Sequence, residues 1–237
     1  MDRSVIRENI VELRGEIYSA AVKAGRNPAD IEIVAVTKNV PVETISLAVE
    51  EGLLNLGENR VQELISKHHH FGQDVRWHLI GHLQTNKVKA VVGKTSLIHS
   101  LDSWRLAVEI DRRSGELGLV TDVLVQVNVS GEETKYGLNP EEVSDFIKDA
   151  AGLGGIAVRG LMTVAPYVDD PEEVRPVFRA LRGLFGDLRK RFPGVPMSYL
   201  SMGMTNDYRV AVEEGANILR VGTGIFGERP GGKAAGD

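Results

Sequence analysis

Eight segments rich in β-branched and apolar residues alternate with amphipathic stretches along this chain. That alternation predicts an α/β protein, a single TIM (β/α)8 barrel with an extra amino-terminal helix. Two further observations favour the closed barrel. Nothing between the strand-like segments reads as a β-hairpin, so the strands pair in parallel through right-handed crossovers. The length of 237 residues, undivided by any low-complexity linker, also fits a barrel of about 250 residues. An open doubly wound sheet more often stops at about five or six strands.

The elements follow in order. Val5, Ile6, Ile10, Leu13, Ile17 and Ala20 recur at helical spacing, and Gly25 with Pro28 ends that leading helix. The run IEIVAVTKNVP (31–41) is the first strand, stopped by Pro41, with a helix over 41–51 and Gly52 as its cap. LLNLGENR supplies a short second strand opening into a polar turn. RWHLIG (76–81) is the third strand and 84–92 a helix; SLIHSLD (96–102) is the fourth, with a helix over 103–116. VLVQVNV (123–129), IAVRGLMTVA (156–165), MSYLSMG (197–203) and NILRVGTG (217–224) complete the eight. Residues 1–228 are read as one domain and the tail RPGGKAAGD (229–237) as disordered.

Composition narrows the function classes. With 42% hydrophobic residues the chain can bury a large core, and no apolar run is long enough to span a bilayer. The start, MDRSVIRENIVELRGEI, interleaves charge with apolar residues and is no signal peptide. With no cysteine there is no disulfide framework, thiolate nucleophile or cysteine-ligated zinc, which fits a reducing, cytoplasmic setting. A net charge of −5 argues against a nucleic-acid partner, since phosphate-backbone binding rests on a basic face. Adjacent His68, His69 and His70 point in different directions on a helix and cannot converge on one ion, so no metal is expected. Lys87, Lys89 and Lys94 read as a solvated helix face. His78, His82 and Gln84 either line the barrel mouth or satisfy loop backbone; Asp102 reads as the N-cap of the helix starting near Ser103.

The chemistry gathers at the strands' carboxyl ends, the active face of such barrels. Lys38 sits where the first strand ends, and lysine is the cation whose charge can be given up. After strands seven and eight, SMGMTND (201–207) and the GTG of 222–224 offer a hydroxyl and two sets of backbone amides that can converge on one phosphate. Arg220, inside strand eight, adds a permanent positive charge. Together these fit pyridoxal 5′-phosphate: Lys38 for a Schiff base, the two glycine-containing loops for the phosphate, Arg220 facing the pyridine nitrogen. An arginine there keeps that nitrogen unprotonated and the ring a weak electron sink.

Nearly the whole chain resembles the pyridoxal phosphate homeostasis proteins, single-domain relatives of the amino-terminal barrel of alanine racemase. The resemblance is carried by AVTKNVP (35–41), LGENRVQE (56–63), WHLIGHLQTNKVK (77–89), IHSLD (98–102), VQVNVSGEETKYG (125–137), RGLMTVAP (159–166), LSMGMTND (200–207) and LRVGTGIFGER (219–229). Asn39 and Thr205 stand where threonine and serine are the more usual residues. The resemblance implies a fold-type III barrel in which Lys38 carries the cofactor, Ser201, Gly222 and Thr223 bind phosphate, Arg220 meets the ring nitrogen, and Asn59 and Met162 border the ring. It implies a monomeric carrier that supplies the cofactor within vitamin B6 homeostasis, with apoenzymes as candidate recipients and no robust catalysis. Racemisation needs a base on each face of the substrate carbanion, and the second base, a tyrosine in alanine racemase, depends there on a further domain and a partner subunit that this chain is not expected to supply. Two alternatives stay open: a racemase-like fold-type III enzyme acting on an amino acid, and a Schiff-base aldolase without cofactor.

Overall fold

The computed structural model describes residues 2–132 and 134–228, so the tail assigned to 229–237 lies outside the described residues. Eight parallel strands close into a barrel in sequence order: β1 Glu32–Val36, β2 Asn55–Glu58, β3 Arg76–Leu79, β4 Leu97–Leu101, β5 Thr121–Gln126, β6 Ile156–Met162, β7 Tyr199–Ser201 and β8 Ile218–Val221. The seam is closed by β1 and β8, with Val34 opposite Arg220 and Ala35 opposite Val221. The predicted TIM barrel is therefore the observed fold.

Alternation along each strand divides the apolar residues between two cores. Val34, Leu97, Leu124, Met162 and Ile218 meet on the barrel axis. Their sequence neighbours, among them Ala35, Ile98, Val123, Leu161 and Leu219, join the larger core between sheet and helices. Helix α1 (Arg3–Lys23) buries Ile6, Ile10, Leu13, Ile17, Ala20 and Ala21 and packs on α8 (Tyr208–Glu213) and α9 (Thr223–Phe226), whereas Val5, counted in the same stripe, lies beside it on the exposed side. Arg26 fastens it by donating to the carbonyls of Val212 and Ala216. No helix among the described residues is long and apolar enough to cross a membrane.

Several predicted elements are shorter than expected. The helix over 84–92 is one 3-10 turn, Thr85–Lys87, followed by the single turn α4, Val88–Val91; Gly93, at φ +79°, ends it. The fifth strand ends at Gln126, the sixth at Met162 and the seventh at Ser201. Gly203 explains the last of these: at φ +95° it leaves the strand, and a β-carbon there would lie 2.6 Å from that of Ala211. Strand β8 stops at Val221 because Gly222 caps α9. α2 (Val42–Glu50), α3 (Val61–His68), α5 (Trp104–Glu116), α6 (Val143–Ala150) and α7 (Arg175–Arg191) complete the outer ring. Asp102 is not the N-cap of α5. Ser103 holds that position, and the Asp102 carboxylate instead takes a 2.9 Å contact from Nδ1 of His82, a partner 20 residues back that no local pattern signals.

A lysine and an arginine at adjoining strand ends

The turn after β1 presents Lys38. Thr37 accepts from the Val40 amide, and Asn39 takes φ +57°, the one positive φ outside glycine among the described residues. Asparagine tolerates that conformation better than other non-glycine residues. Both peptide groups flanking Lys38 are held. Lys67 Nζ donates to the Thr37 carbonyl at 2.8 Å, and the Asn39 amide donates to Glu63 Oε2 at 2.8 Å. Lys67 also binds Glu58 Oε1 at 2.7 Å and Glu63 at 3.1 Å, and Thr37 Oγ1 donates to Glu58 at 2.7 Å. Glu58 is fully buried, and burial pushes its carboxyl above the usual range despite the bonds from Lys67 and Thr37. At Glu63 burial acts in the same sense, but the Asn39 amide and Lys67 outweigh it and leave that carboxyl lowered.

Lys38 is half-buried at the mouth, and β1 borders β8. Since Ala35 pairs with Val221, the turn carrying Lys38 lies one strand over from the Gly222–Gly224 turn. Gly222 is buried and Thr223 exposed at the start of α9. The Gly224 amide reaches Thr205 Oγ1 at 3.3 Å, and a β-carbon on Gly224 would come within 3.4 Å of the Thr205 methyl. The loops after β7 and β8 therefore share one cradle of amides and hydroxyls. Asp207 braces it by accepting from the Met204 amide at 2.6 Å; burial raises the Asp207 carboxyl. Met162 closes β6 within the axial cluster, and the half-buried Asn59 follows β2. Gly81 packs so tightly there that a β-carbon would lie 2.4 Å from the Asn59 carbonyl oxygen.

Arg220 is buried inside the barrel. Its guanidinium donates to Ser201 Oγ at 2.5 Å and to the Thr163 carbonyl at 2.8 Å, and it makes no ion pair among the described residues. Desolvation brings its pKa down to about 10, with Asp207 acting in the other direction, so it stays charged at neutral pH. Ser201 lies deeper than expected. Its hydroxyl is fully buried, held by Arg220 on one side and by His99 Nδ1 at 3.0 Å on the other. Ser201, expected from sequence to bind phosphate, thus has both of its side-chain partners inside the barrel, while Thr205 borders the cradle. The sequence reasoning also missed His99, Thr163 and Lys67. His99 shares its strand parity with the axial Leu97, and that parity was the available signal.

His78 turns inward from β3 and contacts His99, while His82 lies exposed and stacked on Tyr136 with ring centroids 3.9 Å apart. A groove of about 340 Å³ runs beside His82, Gln84 and Asp102. His68 packs near Trp77, the His69 and His70 rings meet at a tilt, and no metal-capable cluster occurs among the described residues.

The chain is a closed parallel barrel with a lysine at the end of its first strand, and residues 3–230 match the family described as "Alanine racemase, N-terminal domain". The chain is 45% identical over 223 residues to the "Pyridoxal phosphate homeostasis protein" of Aquifex aeolicus, covering 94% of this chain and 97% of that one. It is 36% identical over 229 residues to the protein of the same name from Escherichia coli, again covering 94% and 97%. The chain belongs to the pyridoxal phosphate homeostasis protein family. PipY of Synechococcus elongatus, solved with pyridoxal phosphate bound, superposes at a TM-score of 0.82 with 35% identity, over 94% of this chain and all of PipY. An alanine racemase of Clostridium difficile shares the fold at a TM-score of 0.75, with 18% identity over 96% of this chain and 57% of the racemase.

Proposed function

We propose that this protein binds pyridoxal 5′-phosphate at the carboxyl end of its barrel and serves as an intracellular carrier of that cofactor, handing it to apoenzymes without catalysing a reaction of its own. The observation that carries the reading is Arg220, a buried guanidinium with no carboxylate partner among the described residues, facing a mouth that also holds a lysine and an amide cradle. A charge buried at this cost calls for a polar ligand to face. The residues present fit the group. The amides of Gly222–Gly224 with Thr205 and Thr223 suit a phosphate, and Lys38 offers a primary amine one strand away.

Pyridoxal phosphate brings an aldehyde that condenses with an amine and a ring that can accept electrons. This chain's residues determine how much of that chemistry is used. The ion cluster of Lys67, Glu58 and Glu63 fixes both peptides around Lys38 and so aims its side chain. Arg220 presents N–H donors and retains its proton, so a ring nitrogen facing it stays unprotonated. That withholds the electron demand on which amino-acid enzymes of this cofactor depend. Met162 and Asn59 border the ring, and the expected working unit is a monomer in the cytoplasm.

Absorbance spectroscopy tests the assignment. Loaded protein should show an imine band that borohydride abolishes, and Lys38→Ala should lack the band while keeping its far-ultraviolet circular dichroism. A band surviving in Lys38→Ala would move the attachment point elsewhere. Chiral chromatography of alanine incubated with loaded protein should show no racemisation above free pyridoxal phosphate; racemisation well above that control, lost with Lys38, would establish an enzyme.

A further inference from the structure

A line of polar side chains crosses the barrel interior from one mouth to the other, where such barrels are normally filled by branched apolar residues. Arg220 Nη1 meets Ser201 Oγ at 2.5 Å, Ser201 meets His99 Nδ1 at 3.0 Å, and His99 Nε2 meets His78 Nδ1 at 3.0 Å. His78 Nε2 then faces Asn55 Oδ1 at 3.4 Å, and Asn55 Nδ2 faces Glu32 Oε2 at 3.2 Å. Glu32 opens β1, so the line ends at the face opposite the cradle.

The two ends dictate every proton between them. Arginine can only donate and a carboxylate can only accept. Glu32 therefore takes the Asn55 NH2, which turns the Asn55 oxygen to His78 and requires hydrogen on His78 Nε2. His78 Nδ1 is then bare and accepts from His99 Nε2–H, leaving His99 Nδ1 bare to accept the Ser201 hydroxyl proton. The Ser201 oxygen, having given its hydrogen away, has its lone pairs turned to Arg220. The order is one-way, Arg220 to Ser201 to His99 to His78 to Asn55 to Glu32, and an imidazolium at either histidine breaks it. Burial, with Arg76 nearby, pushes His78 down to about 3; burial, with His78 and Arg220 nearby, lowers His99 well below its usual value.

We propose that His99 and His78 are positioning residues: as neutral Nε2–H tautomers they form a directed hydrogen-bond chain that holds Ser201 and, through it, aims the Arg220 guanidinium at the cofactor. The aim rests on the function proposed above, but the chain itself does not. Its first test therefore uses cofactor-free protein.

With the histidine rings labelled with nitrogen-15, long-range nitrogen–proton spectra report the tautomer of each ring. His78 and His99 should both show a bare Nδ1 and a protonated Nε2 from about pH 8 to about pH 5, well below the ordinary histidine range. A protonated Nδ1 or an imidazolium on either ring overturns the chain. Ser201→Ala, which removes one hydroxyl, should move His99 Nδ1 toward the shift of a nitrogen with no donor; an unmoved signal overturns the link. For the aim, His99→Leu should weaken pyridoxal phosphate retention by at least about tenfold, the scale of losing a hydrogen bond to a charged group, and shift the absorbance maximum of the loaded protein. His99→Gln, which restores one donor and one acceptor, should recover part of both. Unchanged retention and spectrum in His99→Leu would leave the chain in place and overturn its role in aiming Arg220. Should His99→Leu fail to fold, Asn55→Leu, at the far mouth, replaces it with the same two readouts.

Discussion

Strands β1 and β8 lie side by side and each delivers a basic residue to the same mouth, yet the two are supported by opposite chemistry. Behind Lys38 stands an outward-facing ion cluster, Lys67 with Glu58 and Glu63, tucked beneath α3. Behind Arg220 stands an inward-facing line of neutral groups, with the nearest carboxylate of that line, Glu32, at the far end of the barrel. Lysine and arginine differ in what they must do with a proton, and the supports match that difference. The neighbours of Lys38 grip the backbone on either side of it, through the Thr37 carbonyl and the Asn39 amide, which sets where the side chain starts; under the proposed function that places the amine for condensation. Under the proposed function Arg220 has to keep both charge and direction. Neutral partners fix its direction without cancelling the charge it turns toward the mouth.

Removing the ammonium from the β1 support gives the largest expected effect. Lys67→Met strands the buried Glu58 carboxylate and the Thr37 carbonyl together, and breaking one side of a buried pair costs about 3–5 kcal/mol. Urea unfolding should register that loss as a lower midpoint. The double variant Lys67→Met with Glu58→Gln should recover more than half of it, because the uncompensated charge is gone. If the double variant is no more stable than the single one, the cluster acts by packing and the comparison fails on its β1 side.

Acid distinguishes the two supports next. A histidine with a lowered folded pKa binds fewer protons folded than unfolded, so its contribution is present above the unfolded value near 6.5 and is lost as pH falls from there toward the folded value, about 3 for His78. His99, lowered further by burial and by His78 and Arg220, acts in the same sense, so both rings should cost stability as the pH falls below the ordinary histidine range. Glu58 and Asp207, both raised by burial, work in the opposite sense. Unfolding is therefore best followed with both opposing carboxyls replaced, in a Glu58→Gln, Asp207→Asn background, where stability should drop between about pH 7 and about pH 5.5. A flat profile there would mean that the two rings take up protons in the folded barrel.

The same contrast explains what was legible in the sequence. Strand positions followed from local apolar runs, and the residues flanking the mouth from short motifs at strand ends, because both signals are contiguous. Lengths were read too long wherever a glycine turned the chain out of the sheet, as at Gly203 and Gly222. Partnerships across the barrel were not legible. Ser201 and His99 are 102 residues apart, and nothing near either one names the other. A hydroxyl beside a glycine-containing loop reads as a phosphate ligand, and its contact with Arg220 appears only when the barrel closes. Lys67 was hidden for a related reason, since on α3 it has the spacing of an ordinary surface i,i+4 pair with Glu63 and its burial comes from Glu58.

The smallest effect concerns the cradle, and it separates the phosphate contacts from both supports. Thr205 Oγ1 accepts from the Gly224 amide, and Thr223 stands exposed at the start of α9, so neither hydroxyl belongs to the ion cluster or to the axial chain. Thr205→Val and Thr223→Val each keep the β-branched shape and remove one hydrogen-bonding atom, which is worth about 1 kcal/mol apiece. Equilibrium dialysis of the double variant should therefore show pyridoxal phosphate held about tenfold to thirtyfold more weakly, with the absorbance maximum of the bound cofactor unchanged, because Arg220 and its histidine line are untouched. Inorganic phosphate should lose its competition against the cofactor in parallel. The opposite pattern, a shifted maximum with retention preserved, would place these hydroxyls beside the ring and return Ser201 to the phosphate.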